Sequence, residues 1–242
     1  MSSPGTPGSF SAVPDNPKQN VTFPSNGGEA HGYLAVPAGG RGPGVIVIQE
    51  WWGLTDHIAD LTDRFAREGF VALAPDLYGG RTTHDADEAG RLMQELPVEK
   101  ASQDLRGAVD YLLGHEAVTG DKLGAVGFCM GGGFVLSLAA QAGEKLAAAV
   151  PFYGVLQTEP DWSGVTARVQ GHYGEKDDFV PMDAVNAQFQ AIAAATGTQP
   201  ELHFYPAGHA FLNDHNLLGT YDAEQARIAW DRAVAFLHAQ LG

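Results

Sequence analysis

The 242 residues are enough for one large hydrophobic core and show no compositional break that would divide them into two domains. Fourteen Lys and Arg stand against 29 Asp and Glu, a formal net charge of −15, and no basic run interrupts the excess, so a nucleic acid or an anionic membrane would be repelled. Apolar stretches such as residues 146–156 are far too short for a membrane span, the first residues lack a basic and apolar signal sequence, and one cysteine cannot form an intramolecular disulfide; a cytoplasmic protein is expected.

Half of residues 1–20 are Ser, Gly or Pro, a composition too poor in apolar groups to offset ordering entropy, so a flexible tail is expected there and a single domain over 21–242. The first placed strand is Val45 to Gln49. Ile58, Leu61 and Phe65 then repeat at helical spacing after a candidate cap at Thr55, and the helix stops at Gly69. A strand at Val71 to Ala74 follows, then a helical stripe of Leu105, Ala108, Val109, Leu112 and Leu113, and a strand at Leu123 to Val126. Phe134, Val135, Leu138 and Ala139 form the next helix. Strands at Ala148 to Phe152, Arg168 to Tyr173 and Leu202 to Tyr205 alternate with a stripe of Val185, Phe189, Ile192 and Ala193 that ends at Gly197. Trp230, Val234, Leu237 and Leu241 make the last helix. Strands apolar on both faces alternating with helices predict an α/β domain with a mostly parallel, doubly wound sheet.

Between the strand at Leu123 and the helix at Phe134 lies Gly127-Phe128-Cys129-Met130-Gly131, which puts the only cysteine at a strand-to-helix turn. Glycines on either side permit the tight bend of a nucleophile elbow, with sulfur in place of a hydroxyl oxygen, and the N–H groups of a helix start favour a thiolate. In a parallel sheet the active site forms at the carboxyl ends of the strands. Glu50, Cys129, Asp177 and His209 all fall at such ends, in the chain order nucleophile, acid, histidine that α/β-hydrolases use. Asp178 and Asp183 lie near Asp177. His203, His209 and His215 recur every six residues but lack a metal-ligand spacing, and the Gly131-Gly132-Gly133 run lacks a dinucleotide fingerprint; neither metal nor cofactor is expected.

From about Val21 onward the chain resembles the dienelactone hydrolase family. The matching pieces are Gln49-Glu50-x-x-Gly53, Pro75-Asp76-Leu77-Tyr78, Gly127-Phe128-Cys129-Met130-Gly131-Gly132, Tyr153-Gly154, Asp177-x-Phe179-Val180-Pro181 and Gly208-His209-x-Phe211. The resemblance implies a single-domain α/β-hydrolase fold with a sheet of about eight strands flanked by helices. It implies Cys129 as nucleophile, His209 as its base, Asp177 as the orienting acid, Glu50 as an auxiliary carboxylate, and the backbone N–H groups of Trp51 and Met130 as an oxyanion hole. Trp52, Tyr153 and Phe128 are expected at the substrate pocket because they abut these positions. Lactonases of the family hold a substrate carboxylate with two arginines. One of those positions is Asn213 here, and the other corresponds to Arg91 or Arg81.

The expected activity is hydrolysis of an enol-lactone or small activated ester through a Cys-His-Asp triad, by a monomer or small homo-oligomer acting on a small molecule. Aryl esters and thioesters form the runner-up substrate class. A redox-sensing thiol on the same scaffold is the non-enzymatic alternative.

Overall fold

The computed structural model describes residues 18–242; most of the expected tail lies outside the described residues. Within its last residues, the Gln19 side chain already donates to Asp76 Oδ2 (2.7 Å), and Asn20 exchanges hydrogen bonds with the backbone of Leu34.

Eight strands form one sheet: β1 (Val21–Ser25), β2 (Gly28–Ala35), β3 (Gly42–Ile48), β4 (Val71–Pro75), β5 (Val118–Phe128), β6 (Leu146–Phe152), β7 (Arg168–Gly174) and β8 (Glu201–Tyr205), in the spatial order β1-β2-β4-β3-β5-β6-β7-β8. From β4 to β8 all neighbours are parallel, whereas β1–β2 and β2–β4 are antiparallel. Among the described residues, six α-helices surround it: α1 (Asp56–Arg67), α2 (Ala86–Glu95), α3 (Val98–Leu113), α4 (Met130–Ala142), α5 (Met182–Thr196) and α6 (Ala223–Leu241). None of them is long and apolar enough to cross a membrane.

Successive strand residues point to opposite faces, and this splits the core in two. Ile46 and Ile48 of β3 join α3, α4 and α5 through Leu105, Val109, Val135, Leu138 and Phe189. Val45 and Val47 join α1 and α6 through Ile58, Leu61, Phe65, Trp230 and Leu237. Each fully buried side chain of this kind contributes about 1.5–3 kcal/mol, so the doubly apolar strands read from the sequence are the framework of the domain.

Local signals differ in how they are used. Gly197 ends α5 in the left-handed region (φ 67°), which glycine adopts without steric cost. Thr55 occupies the N-cap of α1, yet its side chain makes no capping bond. Asp85 does cap α2, accepting from the Glu88 N–H, while Thr83 donates to the Glu88 carboxylate. Strand β5 begins at Val118, five residues before the apolar run at Leu123, because its first turn of ladder is exposed and polar; Gly42 and Pro43 nevertheless pair with Val118 and Thr119. The hairpin β1–β2, unplaced by the apolar pattern, is half exposed at the sheet edge.

The chain leaves β3 for β4 on one side and returns to β5 on the other. This reversal makes the carboxyl ends of β3 and β5 the natural crevice of the sheet.

Candidate active site

Cys129 sits between the end of β5 and the start of α4 with φ 54° and ψ −118°. A non-glycine residue in this region is strained, and the turn is held there by neighbours that leave no slack. The Cys129 N–H donates to the Phe152 carbonyl (3.0 Å) and its own carbonyl accepts from Gly132 (2.9 Å). A Cβ on Gly127 would collide with the Gly131 carbonyl oxygen, and one on Gly131 with the carbonyl oxygens of Ile48 and Gln49. These two glycines let the start of α4 lie directly on β3 and β5.

Asp177 and His209 meet across the ends of β7 and β8. His209 Nδ1 lies 2.7 Å from Asp177 Oδ2, and both side chains are almost completely shielded from solvent. The other carboxylate oxygen, Oδ1, accepts the backbone N–H groups of Phe179 (2.8 Å) and Val180 (2.9 Å), which fixes the acid in one orientation. Asp183 accepts only from the neighbouring Ala184 N–H. Tyr153 packs against the imidazole at 5.3 Å between ring centroids, and Phe179 approaches it at 4.9 Å.

Glu50, two residues beyond β3, is 1% exposed. Its Oε2 accepts from Asn213 Nδ2 at 2.6 Å. Oε1 and the Tyr153 hydroxyl are buried within interaction range of each other, short of a well-formed hydrogen bond. Burial pushes the carboxyl up to about 7 despite the Asn213 and Tyr153 groups that favour its charged form. The Cys129 thiol is pushed up to about 12, first by burial and then by the Glu50 charge, against the N–H groups of Met130 and Trp51 that donate to the sulfur. Near neutral pH the resting sulfur is therefore a protonated thiol, with the two backbone donors expected of an oxyanion hole already trained on it.

Cys129, partly exposed, opens with His209 onto a cavity of about 650 Å³. Trp51, Met130 and Tyr153 also line it. The other expected pocket residues lie elsewhere. Phe128 is fully buried beneath the site, packed on Phe152 and Tyr153 with ring centroids 5.0 and 6.3 Å away. Trp52 is buried behind Trp51, beside a narrow crevice bordered by Asn213. Arg81 pairs with Glu95 at 3.6 Å, and neither it nor Arg91 on α2 lines the cavity.

Asn213 is the functional neighbour that the sequence pattern did not assign: four residues after His209, it reaches back to Glu50. The Pro75-Asp76-Leu77-Tyr78 motif proves architectural. Asp76 accepts from the N–H groups of Tyr78 (3.0 Å) and Gly80 (2.8 Å), and the Tyr78 hydroxyl reaches Met130 Sδ (3.5 Å).

The six-residue histidine series does not gather. His203 stacks on His172 (5.4 Å), and His209 belongs to Asp177. Among the described residues, the side chains close enough to share a metal ion are His57, Asp214 and His215, with ligand atoms within 4.8 Å of one another.

The Dienelactone hydrolase family profile matches residues 30–241. The protein usf of Aquifex pyrophilus is 37% identical over 231 residues, covering 92% of this chain and 99% of the relative. The Aquifex aeolicus protein named "Putative carboxymethylenebutenolidase" is 34% identical over 231 residues, with the same two coverages of 92% and 99%. Among solved structures, a dienelactone hydrolase-like promiscuous phosphotriesterase from metagenomic libraries superposes with a TM-score of 0.78 at 28% identity, over 92% of this chain and 97% of that one.

Proposed function

The chain belongs to the dienelactone hydrolase family of carboxylic-ester hydrolases, and we propose that it cleaves lactones or small activated esters by nucleophilic attack of Cys129, with His209 as base and Asp177 as its orienting acid. The observation that carries this reading is the junction of two constructions on one cavity: a strained cysteine elbow, and an imidazole held at 2.7 Å by a buried carboxylate.

The Asp177 bond at Nδ1 leaves Nε2 to exchange protons with the reacting groups. When a carbonyl enters, the thiol proton passes to His209, and Glu50, poised near neutrality, is available to relay it. Sulfur attacks the carbonyl carbon, and the Trp51 and Met130 N–H groups transfer from sulfur to the developing oxyanion. One such donor lowers a barrier by about 3–4 kcal/mol. Collapse expels the alcohol or enol, protonated by His209, and leaves a thioester on Cys129. Water, deprotonated by the same histidine, then releases the acid and restores the thiol.

Sulfur restricts the leaving group. A tetrahedral adduct expels its better leaving group, and a thiolate with a free pKa of about 8.5 leaves far more readily than an alkoxide whose acid is nearer about 15.7. Ordinary alkyl esters therefore revert to reactant, while enolates, phenolates and thiolates depart. A redox-sensing role fits poorly, because oxidation proceeds through the thiolate and this environment suppresses it.

Cys129→Ala is expected to abolish turnover of an aryl ester while preserving the fold, and stoichiometric alkylation of the wild type at Cys129 should remove activity in proportion. A thioester adduct at Cys129 should appear by mass spectrometry of the acid-quenched enzyme. Activity that survives complete alkylation would refute the assignment.

A further inference from the structure

Among the described residues, no lysine or arginine lines the cavity in front of Cys129. Its ionisable lining groups there are Cys129, Tyr153, His209 and Glu159. Asn213 is committed to Glu50, and Arg81 to Glu95. Ser137, Gln157 and Thr158 supply neutral polar groups at the wall, but a carboxylate entering here would exchange part of its hydration for no cationic partner, while facing the negative Glu159 and an overall charge of −15.

What the walls do offer is apolar surface. Phe134, Leu156 and Val180 form part of the interior, and Met93, Val98 and Phe179 continue it outward. The described residues include six large hydrophobic side chains that are exposed, and these last three, half of that set, all line this one cavity. Their concentration here, near the end of α2, at the start of α3 and in the bend before α5, makes an apolar trough of the kind that ligand sites use. Its volume of about 650 Å³ far exceeds what a small lactone ring fills.

We propose that the trough receives an extended, uncharged acyl arm, so that the substrates are neutral activated esters or thioesters with medium-length alkyl or aryl acyl groups, and carboxylated lactones are poor substrates. The proposal rests on Cys129 being the nucleophile. Phe179 is its main specificity residue: the ring is 62% exposed, lines the trough and lies 4.9 Å from the His209 ring, where it would cover the first carbons of a bound acyl chain.

The test holds the leaving group constant, so that only the acyl arm varies. With p-nitrophenyl esters from acetate to octanoate, kcat/KM should rise by up to about fourfold for each methylene buried. The carboxylated p-nitrophenyl hemiadipate should be at least about tenfold poorer than the 6-methylheptanoate, its shape-matched neutral counterpart, because its carboxylate would leave water for a largely apolar trough without a lysine or arginine. Phe179→Ala should lower the octanoate-to-acetate ratio. Cys129→Ala is run alongside. Turnover that requires Cys129 but is flat with chain length, or that favours the hemiadipate, overturns the proposal and leaves the nucleophile intact. Turnover that persists in Cys129→Ala removes the nucleophile assignment, and this proposal with it.

Discussion

Replacing Glu50 with Gln removes one buried charge and keeps the shape and an acceptor for the Asn213 amide. In the wild type the folded protein holds the Glu50 proton to about pH 7, against an ordinary value of 4.5. Between these limits the folded state binds more protons than the unfolded chain, so this residue makes stability fall as pH rises through the window and level off above it. At about 1.4 kcal/mol per tenfold change in proton affinity, the loss amounts to roughly 3 kcal/mol. Glu50→Gln cannot lose it. The difference in unfolding free energy between variant and wild type should therefore grow in the variant's favour by up to roughly 3 kcal/mol from pH 4.5 to 8, measured by urea denaturation at both values. The thiol supplies an independent readout: without the Glu50 charge it should ionise at lower pH and react faster with iodoacetamide at pH 8, while kcat falls for want of the proton relay. A stability difference that stays constant across this range, together with an unchanged alkylation profile, would refute the argument that Glu50 is a strained buried acid governing the thiol.

Two further outcomes test parts of the site that do not depend on Glu50. Asp177→Asn should leave the fold standing but cut kcat by about 10⁴, since the amide can hold His209 in the wrong tautomer; steady-state kinetics on a p-nitrophenyl ester reads this directly, and a loss below tenfold would remove Asp177 from the triad. Gly131→Ala should destabilise the protein by more than about 2 kcal/mol, because the added methyl meets the Ile48 and Gln49 carbonyls rather than a yielding side chain. A thermal melt within a degree of the wild type would contradict that packing.

The central strands and most helices were legible because their burial is written in uninterrupted apolar runs or in helical periodicity: β3, β4, β6 and α6 fall where those patterns place them. Elements at the periphery were less legible. The β1–β2 hairpin, the exposed start of β5 and the ten-residue α2 bury too little for an apolar pattern to show. At the site, Cys129, Asp177 and His209 announce themselves by position relative to strand ends. Side-chain direction does not. Trp52 and Phe128 neighbour candidate site residues in sequence, yet consecutive residues around a strand end point different ways, and these two face the interior. The Asn213–Glu50 bond joins positions 163 residues apart, a contact that no local pattern encodes.

The strain in the backbone is distributed with the chemistry. Five non-glycine residues among those described have positive φ, and three of them, Cys129 (54°), Tyr153 (39°) and Ala210 (56°), belong to the site or adjoin it. Such conformations cost on the order of 1–3 kcal/mol each and persist only where their surroundings over-determine them. For Cys129 and Tyr153 the surroundings are the parallel ladder itself. Cys129 N–H donates to Phe152 at the end of β6, and Tyr153 N–H donates to His172 of β7 (2.8 Å), so these two strained residues are bonded across to the next strand, while the Ala210 carbonyl accepts from Asn213 in a local turn. The ladder thus transmits the stability of the core to its carboxyl edge, where it holds the thiol against the Trp51 and Met130 N–H groups and the Tyr153 ring against His209. A nucleophile carried on an unconstrained loop would relax out of this geometry. That is the physical reason why a domain with so regular a sheet keeps its irregular backbone beside the one cysteine.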